Sequence, residues 1–314
     1  MRGMELAERY YEAFGPELRR QFPALMEKTA VGLCGAGSEC WGFDDEQSAD
    51  HDFEPGFCLF IPDDTDRQTA FALERAYKKL PGEFLGCRRC GLDPVGGSRH
   101  GVIRVSEFFK EYVGRSTLPQ IGFDWLVLGE DELSAAVNGR LFEPGDGVFK
   151  ALQAGFRAMP EDVRRKKLAA HLTLMAQAGP YNYVRCAGRG ETGAAVLALA
   201  RYTEHALCAF HLTEGAYCPY YKWAMRSFRE LGTRPELADA MTYLLDAENG
   251  PEEQKTKAAV MEDLDRILLE LLAEKGLIAP MPAGRETDLE IGGRRLQERI
   301  GSAELRQLHI MAGV

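Results

Sequence analysis

Two carboxylates and a Gly-Ser pair are the residues of this chain whose types and spacing could do chemistry. Asp50 and Asp52 are two positions apart, and the apolar sequence 57-FCLFI-61 that follows them is typical of a strand. Alternate side chains of a strand point to the same face, so a strand beginning at about Asp50 would place both carboxylates together. Two carboxylates that close repel each other unless a cation neutralises them, and Mg²⁺ (or Mn²⁺) prefers such oxygen ligands. The pattern therefore predicts a divalent-metal site at Asp50 and Asp52.

Gly37 and Ser38 precede these carboxylates, with residues 39–49 between the two motifs. Because glycine has no Cβ, backbone amides at this turn can approach a phosphate closely, and Ser38 adds a hydroxyl donor. Turn and carboxylates together suit a nucleoside triphosphate bound with its metal ion. Each half alone is common, as a turn or as a solvated strand face, so the interpretation depends on their conjunction.

The surrounding residues predict the elements that must position these motifs. Residues 31–36 are small and apolar and predict a buried strand before the turn, and residues 100–105 predict a third strand. A helix is expected after Pro62-Asp63-Asp64, because aspartate at a helix N-terminus accepts hydrogen bonds from free amides. In residues 1–30, apolar residues at helical spacing are interrupted by Gly15-Pro16, which predicts two short helices.

The second half of the chain has helical patterns throughout, at 161–178, 191–213, 220–231, 234–248, 252–275 and 286–309. We therefore expect an α+β protein. It would have an N-terminal α/β domain with a small mixed sheet, residues 1–150, and an all-helical C-terminal domain, residues 151–314.

Polar and aromatic clusters in this helical half could contact a nucleotide. Arg185 and Lys222 could neutralise triphosphate charge, and Tyr220 or Trp223 could stack on a base. The alternative is that the aromatic side chains pack in the interior and the cations lie on a surface. The basic run 164-RRKK-167 predicts a mostly solvated helix face, in which Lys167 is the residue to test for a phosphate role.

Composition excludes several classes of protein. The 314 residues are 45% hydrophobic and 27% charged, which is enough to bury a core, and no apolar run has the ~18 residues of a membrane span. The N-terminus has no pattern of a secretory signal, so we expect a cytoplasmic protein. The net charge of −10 argues against a nucleic-acid partner, which usually requires a basic surface.

The eight cysteines are scattered through the chain, which predicts free thiols more than disulfides. Cys87 and Cys90 form the one CxxC pair. A tetrahedral zinc site would need two further ligands from elsewhere in the chain, so a loop with unpaired thiols is the preferred interpretation and a metal site is the alternative.

These motifs resemble the signature of the DNA-polymerase-β-like nucleotidyltransferase superfamily, in which a hydrophobic-Gly-Ser motif precedes Asp-x-Asp at about this interval. The two-domain plan resembles that of kanamycin nucleotidyltransferase and the aminoglycoside adenylyltransferases. The chain most closely resembles a bacterial domain-of-unknown-function family within that superfamily. The resemblance covers nearly the whole chain and includes GAGSECWGFDDEQSADHDF, VIRVSEFF, NGRLF, PEDVRRKKLA, MAQAGPYNYVR, YCPYYKW and LRQLHIM.

The resemblance implies nucleotidyl transfer, with Asp50 and Asp52 as metal ligands and Gly37 and Ser38 at the phosphates. Members of the superfamily usually carry a third carboxylate on a later strand, as a metal ligand or general base. Here Arg104 stands on that strand, and Glu107, just beyond it, is the first candidate for the third acid. Asp124 is the second.

Two hypotheses remain open from the residues. The first is a Mg²⁺-dependent nucleotidyltransferase that moves AMP from ATP to a hydroxyl of a small-molecule acceptor and releases pyrophosphate. The second is a nucleotide-binding regulatory protein of the same fold with lost or weak catalysis, suggested by Arg104 in place of an acid. A protein- or tRNA-modifying enzyme is a weaker third possibility.

Overall fold

The computed structural model describes residues 1–45, 54–89, 100–232, 234 and 236–314. These residues form two compact units. The first comprises Met1–Leu118 and Glu132–Ala158, and the second comprises Pro119–Asp131 and Met159–Val314. The predicted division at residue 150 treats each domain as one continuous segment, whereas residues 119–131 group with the second unit.

The α+β fold is confirmed. The strands, in chain order, are β1 (Ala30–Leu33), β2 (Cys58–Ile61), β3 (Glu83–Phe84), β4 (Cys87–Arg88), β5 (Gly101–Arg104) and β6 (Arg140–Glu143). Four of them form a mixed sheet with the order β5-β2-β1-β6, in which only β2 and β5 are parallel, while β3 and β4 form a separate hairpin.

The helices follow in the same manner. They are α1 (Gly3–Gln21), α2 (Pro23–Met26), α3 (Ser38–Trp41), α4 (Arg67–Lys78), α5 (Val105–Val113), α6 (Gly122–Leu126), α7 (Glu130–Ala136), α8 (Val148–Arg157), α9 (Glu161–Ala176), α10 (Val184–Gly188), α11 (Thr192–Thr213), α12 (Tyr221–Glu230), α13 (Glu236–Asp246), α14 (Pro251–Glu274), α15 (Leu289–Glu298) and α16 (Ala303–Gln307). Within the described residues, no helix is both long and apolar enough to cross a lipid bilayer.

The register of the sheet determines which loops meet. Gly32 of β1 pairs with Cys58 at the start of β2, and Cys58 pairs with Gly101 at the start of β5. The turn after β1 and the residues before β2 and β5 therefore lie at one end of the sheet, which we call the Gly-Ser end (Cys34–Ser38, Cys58 and Gly101). Ile61 and Arg104 pair at the other end, three residues or ~10 Å along the strands.

Three local predictions for the first unit were wrong in detail. The helix α1 runs through Gly15-Pro16 without a break, because Gly15 leaves room for the Tyr11 ring to pack against the backbone. The strand β2 begins at Cys58 and residues 54–57 form no strand. The N-cap of α4 is Asp66, whose carboxylate accepts a hydrogen bond from the amide of Thr69 at 2.9 Å.

The prediction of a helical second half is confirmed, since the described residues after Glu143 form no strand. A π-helical segment, Gln177–Tyr183, continues α9 and accommodates Pro180. The helix predicted at 286–309 is two helices, α15 and α16, because Asp162 of α9 binds the amides of Gly301 and Ser302 between them.

The prediction of a solvated basic face at residues 164–167 was wrong. Lys166 and Lys167 are fully buried, and Arg164 donates hydrogen bonds to the carbonyls of Leu212 and Thr213 at the end of α11. Carbonyl groups that end a helix lack intrahelical partners, so long basic side chains can satisfy them inside the unit.

Candidate functional site

The Gly-Ser turn follows β1 directly and is held by side chains of two other segments. The amide of Ala36 donates a hydrogen bond to the Tyr112 hydroxyl of α5 at 3.3 Å, and the amide nitrogen of the Asn138 side chain donates to the Gly35 carbonyl at 3.1 Å. Gly35 has a φ of +123°, and a Cβ there would overlap the Tyr112 hydroxyl. Only glycine fits this position, which fixes the path of the chain into Gly37 and Ser38.

Gly37 and Ser38 are accompanied by a carboxylate that the sequence did not indicate. The buried carboxylate of Glu39 folds back over Gly37, where a Cβ would overlap it, and accepts a hydrogen bond from the Ser38 hydroxyl at 3.4 Å. Ser38 is itself buried. The turn thus brings together the two predicted phosphate-binding residues and a third, negatively charged side chain.

A histidine-carboxylate pair also lies at the Gly-Ser end of the sheet. His100, directly before β5, has its Nδ1 atom 3.0 Å from Oε1 of Glu54, and only 8% of the His100 side chain is exposed. Gly56 packs against the imidazole ring so closely that a Cβ would overlap it. His100 therefore occupies a fixed position directly before β5, next to the start of β2.

Asp50 and Asp52, the predicted metal ligands, lie outside the described residues. Glu107 lies in the exposed first turn of α5, where its carboxylate accepts a hydrogen bond from the Arg104 amide at 3.4 Å. The Arg104 guanidinium donates to the carbonyls of Asp63 and Thr65, both at 2.7 Å. Arg104 therefore anchors the loop after β2, at the end of the sheet remote from the Gly-Ser turn.

Each predicted nucleotide contact of the second unit contacts a different aromatic ring, although Tyr220 and Lys222 are only two residues apart. Arg185 donates to the Tyr181 hydroxyl at 3.0 Å, with its guanidinium 4.8 Å from the centre of the same ring. Lys222 lies over the Trp223 ring at 4.8 Å. Tyr220 is half exposed, and its ring centre is 4.3 Å from that of Tyr221.

Two other candidates from the sequence, Lys167 and Asp124, also belong to the second unit. Lys167 donates to the carbonyls of Leu128 and Gly313 at 3.0 and 2.7 Å. Asp124 lies in the first turn of α6.

Cys87 is half-buried with a free thiol, and Cys90 lies outside the described residues.

The second unit contains a cavity of about 1050 Å³ with a mainly apolar lining. Tyr220 and Tyr221 line it, whereas Arg185 and Lys222 do not. Titratable side chains on its wall form what we call the donor cluster: Glu130, His171, His205, Cys208 and Cys218. A cavity of this size with a few convergent polar groups is typical of a small-molecule site.

Hydrogen bonds order one side of the donor cluster. Nε2 of His171 lies 2.8 Å from Oε1 of Glu130, and Nδ1 of His171 lies 3.1 Å from Nδ1 of His205. Burial alone would raise the pKa of Glu130, but the charge and hydrogen bond of His171 hold that pKa below its usual value. Burial lowers the pKa of His205 to about 4, so this ring is neutral at pH 7.

The two thiols of the donor cluster contact each other. The neighbouring Cys208 thiol and the charge of His211 lower the pKa of Cys218, against the opposing effect of burial. His211 is fixed in turn by the Leu207 carbonyl at Nδ1 and the Ser227 hydroxyl at Nε2, 2.8 and 2.9 Å away.

Sequence reasoning missed the donor cluster because its residues are far apart in the chain. Glu130 begins α7, His171 belongs to α9, and both His205 and Cys208 belong to α11. One local signal existed. His205 and Cys208 are three residues apart in a largely apolar helix, a spacing that puts both side chains on the same face.

Comparison with known proteins gives one match. The profile of a family described as a domain of unknown function (DUF4037) matches residues 125–224, a region that includes the whole donor cluster. Neither the curated proteins nor the solved structures include one with detectable similarity to the chain.

Proposed function

We propose that the protein is a Mg²⁺-dependent nucleotidyltransferase of the DNA-polymerase-β-like superfamily, which transfers AMP from ATP to a hydroxyl of a small-molecule acceptor. The observation that carries this proposal is the position of the Gly-Ser turn at the end of the sheet where β2 begins. Asp50 and Asp52 precede β2 in the sequence and lie outside the described residues, so their part in the site stays a prediction.

The donor set favours magnesium at Asp50 and Asp52, since carboxylate oxygens are its preferred ligands. When bound there, the ion would polarise the phosphates and neutralise the developing charge. The amides at Gly37 and Ser38 would hold the phosphates, and Arg185, Lys222 and Tyr220 stay predicted nucleotide contacts. The acidic net charge of −10 favours a small acceptor over nucleic acid.

The reaction also requires a base, for which the described residues offer three candidates. In the transfer, the acceptor oxygen would bond to the α-phosphorus as the bond to pyrophosphate breaks, and a base would take the hydroxyl proton. Glu107 and, after it, Asp124 are the candidates from the sequence. His100 is the candidate favoured by position, because Glu54 orients its ring at the Gly-Ser end of the sheet.

The alternative function, a nucleotide-binding regulator, was suggested by Arg104. The guanidinium of Arg104 is engaged by the carbonyls of Asp63 and Thr65 at the remote end of the sheet. This position gives Arg104 a structural role and weakens the reason for assuming lost catalysis.

Incubation with Mg²⁺, labelled triphosphates and a pool of small metabolites tests the proposal. A nucleotidyltransferase releases pyrophosphate and forms a labelled adduct, and the Asp50→Asn variant should do neither while remaining folded. Nucleotide binding without pyrophosphate release would favour the regulator. A protein that neither binds nucleotide nor releases pyrophosphate would reject both the transferase and the regulator.

A further inference from the structure

The donor cluster in the second unit has the composition of a metal site. The structure brings together one ligand atom each from Glu130, His171 and Cys208, all within 4.8 Å of one another. Glu130 and His171 are buried, with 8% and 4% of each residue exposed. None of these three residues is among those assigned to the proposed nucleotidyl transfer.

A second observation also favours a cation as the partner of Glu130. Oε2 of Glu130 is buried and has no hydrogen-bond partner among the described residues. Leaving such an atom without a partner costs ~1–3 kcal/mol, and more when the group is charged. The charge of Lys167 acts on Glu130, but its ammonium group donates to the carbonyls of Leu128 and Gly313 and makes no hydrogen bond to this oxygen.

The surroundings of His171 match those of a metal-binding histidine. Such a histidine usually donates its second ring N–H to a neighbouring acceptor, which fixes the ring orientation. Nδ1 of His171 lies 3.1 Å from Nδ1 of His205, so His205 can accept that proton. Nε2 of His171 is then the ligand atom on the side of Glu130.

We propose that Glu130, His171 and Cys208 bind a divalent transition-metal ion of the zinc class. Oxygen, nitrogen and sulfur donors together are the ligand set of zinc, whereas magnesium and calcium take oxygen ligands. The three ligands come from three helices, α7, α9 and α11. The Cys208 thiol loses its proton when the ion binds.

The cavity gives the site a further property. Three protein ligands leave a fourth position of a tetrahedral ion for water or a ligand, as in catalytic zinc sites. That position would face the cavity of about 1050 Å³, whose wall includes the rings of Tyr220 and Tyr221. The site therefore suits a small molecule with an anionic head group for the ion and an apolar or aromatic body.

Titration of the chelator-treated full-length protein with Co²⁺ tests this proposal directly. Cobalt takes the same ligands as zinc and shows a thiolate-to-metal charge-transfer band when cysteine is a ligand. We expect this band to saturate with one equivalent of Co²⁺ and to disappear when Zn²⁺ is added, while excess Mg²⁺ leaves it unchanged.

The variants separate the proposed ligands from other side chains. Cys208→Ser should lose the charge-transfer band, and Glu130→Gln should bind Co²⁺ at least ~10-fold more weakly, since even outer-shell changes cost ~10–100-fold in affinity. Cys186→Ser is the matched control in the same unit, half-buried with a free thiol, and should keep the wild-type band.

Two results would overturn the proposal: a wild-type protein that binds Co²⁺ without a thiolate band, or a Cys208→Ser variant that keeps the band. Far-ultraviolet circular dichroism establishes whether each variant is folded. If Cys208→Ser does not fold, the wild-type spectrum and the Glu130→Gln affinity still decide, because a normal Co²⁺ affinity in Glu130→Gln removes Glu130 from the site.

Discussion

Glu39 places a buried carboxylate against Gly37, so a phosphate at this turn would meet a like charge unless a cation accompanied it. Like charges at such short range in a buried site repel strongly, and a divalent ion reverses that repulsion. This carboxylate therefore links the two halves of the proposed site, since phosphate binding at Gly37 and Ser38 should depend on Mg²⁺.

The position of His100 gives a prediction at the scale of single residues. We expect His100→Gln to lower the rate of pyrophosphate release by ~10²-fold or more, since a positioned general base contributes ~10²–10⁴-fold, with nucleotide affinity retained. Glu107→Gln should change the rate little and lower stability by less than ~1 kcal/mol, because glutamine can still accept the hydrogen bond from the Arg104 amide and only the charge near the helix N-terminus is lost. Steady-state kinetics with both variants decides which residue is the general base. If Glu107→Gln releases pyrophosphate slowly and His100→Gln releases it at the wild-type rate, Glu107 is the base.

At the scale of elements, local patterns predicted which elements exist better than where they end. Apolar spacing found α1, but the expected break at Gly15-Pro16 depends on a tertiary contact, the packing of Tyr11 on Gly15. Likewise, apolar residues predicted β2, but pairing with β1 and β5 extends only over Cys58–Ile61.

Glycine substitutions test the account of α1. Gly15→Ala should destabilise the protein by ~1–3 kcal/mol, because the new methyl group overlaps the Tyr11 ring. Gly193→Ala in α11 is the matched control, since a Cβ there meets nothing within 4 Å, and it should be neutral or stabilise by up to ~1 kcal/mol. Chemical denaturation measures both, and equal effects would show that the Tyr11 contact does not set the cost.

The residues of the candidate sites differ in how well the sequence predicted that they would lie together. The position of Gly37 and Ser38 could be predicted because their turn directly follows an apolar strand, and in the structure the turn does follow β1. His100 and Glu54 were not, because their pairing depends on the parallel register of β2 and β5. The donor cluster required the packing of three helices, which no local pattern encodes.

At the scale of the whole molecule, residue type alone did not predict which charged side chains are buried. The second unit buries Lys166, Lys167 and Asp265 almost completely, although charged residues are usually exposed. Lys166 donates to Gln297 and to the carbonyls of Leu308 and His309, and burial lowers its pKa to about 8. These partners of Lys166 are more than 130 residues away in the chain. A local sequence pattern does not show them, so the basic run was predicted to be a solvated face.

Asp265 makes stability depend on pH. Burial raises its pKa to about 8, while its carboxylate oxygen Oδ1 accepts a hydrogen bond from Tyr202 at 2.7 Å. Between pH ~4 and 8 the unfolded carboxyl has lost its proton and the folded one retains it, so raising the pH favours unfolding, with a slope of up to ~1.4 kcal/mol per pH unit.

The Asp265→Asn variant should remove that contribution while keeping the Tyr202 hydrogen bond. Denaturation midpoints from pH 5 to 9 should show the variant gaining stability relative to the wild type as the pH rises. A constant difference across this range would mean that Asp265 is ionised in the folded protein throughout.

The central claim is that Asp50 and Asp52 hold a metal ion beside the phosphate-binding turn. Calorimetric titration with ATP, with and without Mg²⁺, tests it most directly in the wild type, in Asp50→Asn and in Asp64→Asn, a control in the loop after β2. We expect Mg²⁺-dependent binding by the wild type and the control, and loss of this binding in folded Asp50→Asn. Unchanged binding in Asp50→Asn, or wild-type binding independent of Mg²⁺, would contradict it.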